Sequence, residues 1–133
     1  MTFDRMAYLS AILKTLPDAV VIIDCDHRLV ELNPAGLALI GADTIDAIPD
    51  RSPLAMVSPA SRSTFQEQFL ATVSGRAASP FRIEVNSLTG ICRTVECRMA
   101  RLENLDGGIA GVVMTARDVS AAEKQERQLA DDE

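Results

Sequence analysis

The stretch from Leu16 to Gly41, "LPDAVVIIDCDHRLVELNPAGLALIG", decides how the rest of the chain is read. It holds two apolar runs, "AVVIID" at 19–24 and "LVELN" at 29–33, with only Cys25-Asp26-His27-Arg28 between them. A break this short joins two strands into an antiparallel hairpin. Asn33-Pro34 then starts a helix, because Asn offers a side-chain acceptor to the orphan N–H groups and Pro is tolerated at the first helical position. "AGLALI" continues that helix and Gly41 is a natural stop.

The hairpin also gathers two carboxylates, a thiol and the only imidazole of the chain in Asp24, Cys25, Asp26 and His27. As a calcium loop it fails at Arg28, which stands where a third oxygen ligand belongs. As a zinc site, Cys25 and His27 lack a second pair of ligands. As a Cys-His catalytic pair they lack an orienting third group and oxyanion donors. Asp and His tolerate turn conformations well. The stretch reads as a turn, and no metal site and no catalytic residue is expected.

Upstream, "FDRMAYLSAILKTL" places Phe3, Met6, Leu9, Ile12, Leu13 and Leu16 at helical spacing. This is an apolar helix over 1–16 that covers a core or meets a partner. Downstream, Pro49, Pro53 and Pro59 leave room only for short helical turns between 42 and 60. A longer helix follows in "SRSTFQEQFLATVSG", with Phe65, Phe69, Leu70 and Val73 as its apolar stripe and Gly75 as its end.

The second half alternates. Phe81, Ile83 and Val85 oppose Arg82, Glu84 and Asn86; Val95, Cys97 and Met99 oppose Thr94, Glu96 and Arg98. Period-two alternation predicts strands with one wet and one buried face. "DGG" at 106–108 supplies a turn, and "IAGVVMTARD" is apolar on both faces around Val112, Val113 and Met114, as suits a central strand covered on both sides. Ser120 and Glu123 have the spacing of a capping box, opening what reads as the first turns of a longer helix. The resulting fold class is α+β: about five antiparallel strands with helices gathered on one face, and flanking N- and C-terminal helices.

Composition narrows the function. The 133 residues suit one domain, and 47% hydrophobic with 24% charged residues is ordinary for a globular chain. The net charge of −6, with only two lysines, Lys14 and Lys124, argues against a nucleic-acid surface. No apolar run approaches the roughly 20 residues of a membrane helix, so no membrane insertion is expected. No basic segment precedes an apolar run at the N-terminus, and the three cysteines form no CxxC pair; a reducing cytoplasm is the simplest setting.

In order and spacing these pieces resemble a PAS domain over roughly residues 9 to 124. The motifs are "LPDAVVIIDCDHRLVELNPAGLALIG", "MVSPASRSTF" ahead of the long helix, and "TARDVSAAEKQE" at the end. His27 stands where that family usually has Gly, and Asp118 and Ser120 take the places of its Asp-x-Thr junction, with Ser for Thr. The resemblance implies an N-terminal helix (1–16), a PAS core (17–119) and the start of a signalling helix (120–133).

It also implies a non-enzymatic sensory module of a signalling protein such as a histidine kinase, with the output domain in the same polypeptide. A small apolar ligand or a partner would act between the inner sheet face and the helices. The inner-face candidates are Val21, Ile23, Phe69, Val73, Val95, Cys97, Met99, Val112 and Met114. Haem is argued against by the lack of His in the long helix, and a photoactive flavin by the lack of Cys in 42–60; the cofactor, if any, stays unassigned. Phe3, Met6, Leu9, Leu13 and Leu16 are candidates for a homodimer interface. The alternative is a ligand-free dimerisation adaptor of the same fold.

Overall fold

The computed structural model describes residues 4–76 and 79–131. Five strands, β1 (Ala19–Asp24), β2 (Leu29–Leu32), β3 (Phe81–Asn86), β4 (Cys92–Glu103) and β5 (Ile109–Asp118), form one antiparallel sheet. Their order is β2-β1-β5-β4-β3, so the last strand lies in the middle, between β1 and β4. The helices are α1 (Arg5–Thr15), α2 (Pro34–Ile40), α3 (Arg62–Val73) and α4 (Ser120–Asp131). Between α2 and α3 the chain makes four short 3-10 turns, three of them opening on Pro49, Pro53 and Pro59. Proline fixes φ at a helical value but cannot sustain a ladder, which limits each to one turn.

Alternation sorts the two faces of the sheet. Phe81, Ile83 and Val85 are buried while Arg82, Glu84 and Asn86 are exposed. Val95, Cys97 and Met99 of β4 and Val112, Met114 and Ala116 of β5 continue the inner face, where α3 supplies Phe65 and Phe69. β5 is central as expected, yet Val113 on its outer face is only half-buried.

Two expectations need correction, and one open alternative narrows. Leu70 is 59% exposed, and Thr72 is buried in its place. Thr72 follows Phe65 by seven residues, on the same helix face, and its hydroxyl donates to the Gln68 carbonyl at 2.8 Å, so its burial leaves no orphan polar atom. The Ser120–Glu123 capping box does not form. Ser120 is the first helical residue, its hydroxyl turns to β4, and the Glu123 N–H is taken by the Val119 carbonyl at 2.8 Å. α1 does not cover this chain's own core: none of its residues is buried, although Asp4 caps it through the Met6 and Ala7 N–H groups. Met6, Leu9, Ile12 and Leu16 are exposed and Leu13 is half-buried, while Phe3 lies outside the described residues.

The hairpin that opened the sequence is a turn held by Asp24. Its Oδ1 accepts from the Asp26 and Arg28 N–H groups at 2.9 and 3.0 Å. The His27 N–H closes on the Asp24 carbonyl at 3.1 Å, and His27 itself sits at φ 63°. Its ring lies 4.4 Å from that of Phe69, so this left-handed residue also packs on the core. Left-handed backbone costs a non-glycine residue roughly 1–2 kcal/mol, and the ring contact returns about 0.5–1.5 kcal/mol. His27→Gly is therefore expected to shift stability by no more than about 1 kcal/mol, insensitive to chelator, in thermal melts. A larger, chelator-dependent loss would restore the metal reading.

Candidate functional site

Strand register shows where the interior has space. Across the inner face, Ile23 pairs with Val112; the next row is Val21, Met114 and Met99; the next is Ala19, Ala116, Cys97 and Phe81; the last is Asp118, Val95 and Ile83. A cavity of about 50 Å³ lies under the last three rows, with Val21, Met114, Ala19, Ala116, Val95 and Ile83 as its sheet wall. Leu39 and Ile40 of α2, Phe65 of α3, and Met56 and Val57 of the 3-10 segment close the other side. A water takes up about 30 Å³ of the liquid, but water needs polar partners and this wall is apolar.

Of the nine inner-face candidates, Val21, Val95 and Met114 line this cavity. Ile23, Phe69, Cys97, Met99 and Val112 are buried in the core without lining it, and Val73 is packed against the core from a half-buried position. Burial, with Glu96 adding to it, pushes the Cys97 thiol up to about 12, so it stays protonated and acts as a small hydrophobe. The lining residues missed from the sequence divide in two. Ile83 shows the same alternation as Val95 and was open to the same reasoning, whereas Met56 and Val57 sit in a segment with no period to read. Drug-sized ligands occupy about 300–1,000 Å³, so anything of that size must displace side chains. Met56 and Met114 both line the space, and thioether chains repack readily.

The second feature is the passage from β5 into α4. Asp118 Oδ1 accepts from the Ser120 N–H at 2.9 Å, and the Ser120 hydroxyl accepts from the Thr94 N–H at 2.9 Å. The Val119 N–H donates to the Thr94 carbonyl, also at 2.9 Å. The first turn of α4 is thus clasped to β4, and further along Arg82 of β3 reaches Glu126 at 3.3 Å. The Ser120 N–H holds the Asp118 carboxyl below its usual range against partial desolvation, with help from the Ser120 hydroxyl and the Arg93 guanidinium. A depressed carboxylate contributes while ionised, so this clasp is complete at neutral pH. It loosens only as pH falls through and below the ordinary carboxylate range. The two junction candidates are brought together; Arg93, whose Nε lies 3.8 Å from Asp118, completes the group and was not singled out from the sequence.

Among the described residues no three His, Cys, Asp or Glu side chains converge as a metal site would require. No described helix is long and apolar enough to cross a membrane.

A family model described as "PAS fold" matches residues 13–124. No curated protein matches the chain. Among solved structures, the PAS domain of a protein from Colwellia psychrerythraea superposes with a TM-score of 0.78 at 14% identity, covering 89% of this chain and 99% of that one. A sensory box histidine kinase/response regulator from Burkholderia thailandensis gives 0.68 at 17%, covering 96% and 93%. An RNA-binding light-oxygen-voltage receptor gives 0.78 at 20%, covering 96% of this chain but 36% of that one. At such identities the likeness is one of fold.

Proposed function

The chain belongs to the PAS fold family, and on that premise we propose that it is a non-enzymatic sensory module of a signalling protein. A small apolar ligand, or a partner, is read at the interior cavity. The change is relayed through Asp118 and Ser120 to α4 and on to an output domain such as a histidine kinase. The observation that carries this reading is that one strand serves both ends. Met114 and Ala116 of β5 wall the cavity, and Asp118, two residues on, holds the start of α4. Repacking of Met114 therefore acts on the strand whose last residue sets the helix, a two-state element biased by occupancy. The open stripe of α1 (Met6, Leu9, Leu13 and Leu16) supports a homodimer, and the setting is cytoplasmic.

The test is Asp118→Ala in the full-length signalling protein. Folding is expected to survive nearly intact, because the carboxylate is a surface group, while the output loses its response to the stimulus. Unchanged signalling would sink the relay.

The small cavity volume favours a second reading, a ligand-free dimerisation adaptor of the same fold. Native against denaturing mass spectrometry of the purified protein separates the two. A dimer that sheds extra mass on denaturation supports the ligand-bearing module, and a bare dimer supports the adaptor. A bare monomer would remove the α1 interface from both.

A further inference from the structure

The interior cavity has a neighbour. A cleft of about 220 Å³ opens at the junction end of the domain, between Ala35, Ala38 and Leu39 of α2 and the Arg93–Asp118 pair. Its floor is Ala19, Ala116 and Leu39, and these three residues also wall the interior cavity. Two methyl groups and one isobutyl group are thus common to the wall of the open cleft and to that of the apolar interior space. The alanines offer little bulk, so Leu39, which is half-buried, is the one large side chain common to both walls. Together the two spaces approach the lower bound of ligand-sized pockets, about 300 Å³.

The mouth has a definite chemistry. Arg93 lies on the inner-face parity of β4, two residues before Val95, and its side chain is 34% exposed. Among the described residues its single ion pair is the long one to Asp118, at 3.8 Å from Nε. The two terminal nitrogens of its guanidinium make no hydrogen bond among the described residues. A half-buried guanidinium with an open fork matches a carboxylate in a planar, two-point contact.

We infer that this cleft is the port of the interior cavity and that it takes a small carboxylate with an apolar tail. The tail passes Leu39 between the helices and the sheet, and the carboxylate sits on Arg93. The inference rests on the proposed reading of the interior as a ligand site and names the class of ligand. It also supplies a direct link to output. The incoming carboxylate competes with Asp118 for Arg93, and Asp118 is the group that holds the Ser120 N–H at the start of α4.

The experiment is an NMR titration of the folded protein with hexanoate and, separately, with 1-hexanol as the uncharged probe of equal length. Hexanoate is expected to shift the amides of Ala38, Ala116 and Asp118 saturably. Arg93→Gln should weaken it about tenfold or more while leaving the affinity for hexanol within about twofold. Asp118→Asn, which removes the competitor, should tighten hexanoate, so the proposal stays testable if Arg93→Gln does not fold. Equal binding of both probes, indifferent to Arg93→Gln and Asp118→Asn, would overturn the carboxylate port and leave the interior ligand reading standing. If neither probe moves these amides, the port fails, and the choice between the ligand-bearing module and the adaptor rests on the mass-spectrometric comparison alone.

Discussion

Replacing Asn33 by alanine lowers the stability of the domain by roughly 2–4 kcal/mol, from the loss of a helix cap and of a buried partner for a backbone N–H. The size follows from four bonds on one amide that is 5% exposed. Oδ1 accepts from the Val20 N–H at 2.8 Å and from the Gly36 N–H at 2.9 Å. Nδ2 donates to the Leu13 carbonyl at 3.1 Å and to the Asp18 carbonyl at 3.0 Å. The first oxygen bond belongs to β1 and the second caps α2, while the nitrogen bonds hold the end of α1 and its link into β1.

Urea denaturation reads the loss, and hydrogen exchange adds a signature specific to this residue. α1 buries nothing of its own, and an isolated helix of its length is marginal. Its amides should therefore lose protection in Asn33→Ala beyond the global change. A loss below about 1 kcal/mol would mean that water takes over both roles of the amide.

Asn33 also shows how far the sequence could be read. Asn-Pro before an apolar run announces a helix start, and that local statement holds: the Gly36 N–H is capped as expected. Nothing local announces that the same amide reaches Leu13, twenty residues back in the chain. The turns and strands were legible for the same reason as the cap. The Asp24 hairpin, the left-handed Gly41 and the alternation of β3 are each set by neighbours in sequence.

The candidate site was less legible. Alternation assigned the inner face but not which rows meet a helix directly and which leave space. The cavity therefore takes three of the nine candidates and adds Met56 and Val57 from an aperiodic segment. Arg93 was hidden by its charge. It shares the parity of Val95 and Cys97, yet a basic residue at a strand start reads as solvated until Asp118 is placed beside it. Leu70 and Thr72 exchanged roles because hydropathy takes no account of a hydroxyl bonded within its own helix.

The most damaging single methyl group is expected at Gly111, a position the sequence shows only as part of an apolar strand. Gly111 pairs with Asp24 on one side and Leu102 on the other, at φ 153°, in the central strand of the sheet. A Cβ built there would run into the Ile23 carbonyl oxygen and lie 3.0 Å from the Asp24 Cα. Both are backbone atoms of β1, so no rotamer change relieves the clash. The strands must part instead, and the β1–β5 ladder from Ala19↔Ala116 to Asp24↔Gly111 joins the first hairpin to the rest of the sheet.

Backbone strain of about 1–3 kcal/mol and overpacking of about 1–3 kcal/mol or more together approach the whole stability of a small domain, about 5–15 kcal/mol. Gly111→Ala is expected to be largely unfolded or insoluble at 37 °C. Gly107→Ala and Gly90→Ala are the controls. Both positions have positive φ but nothing within 4 Å of the added carbon, so each should lose only the conformational term, about 1 kcal/mol. Denaturation midpoints of the three variants check the argument. If Gly111→Ala melts with the two controls, β1 and β5 are not in the close approach on which the cavity wall and the junction both depend.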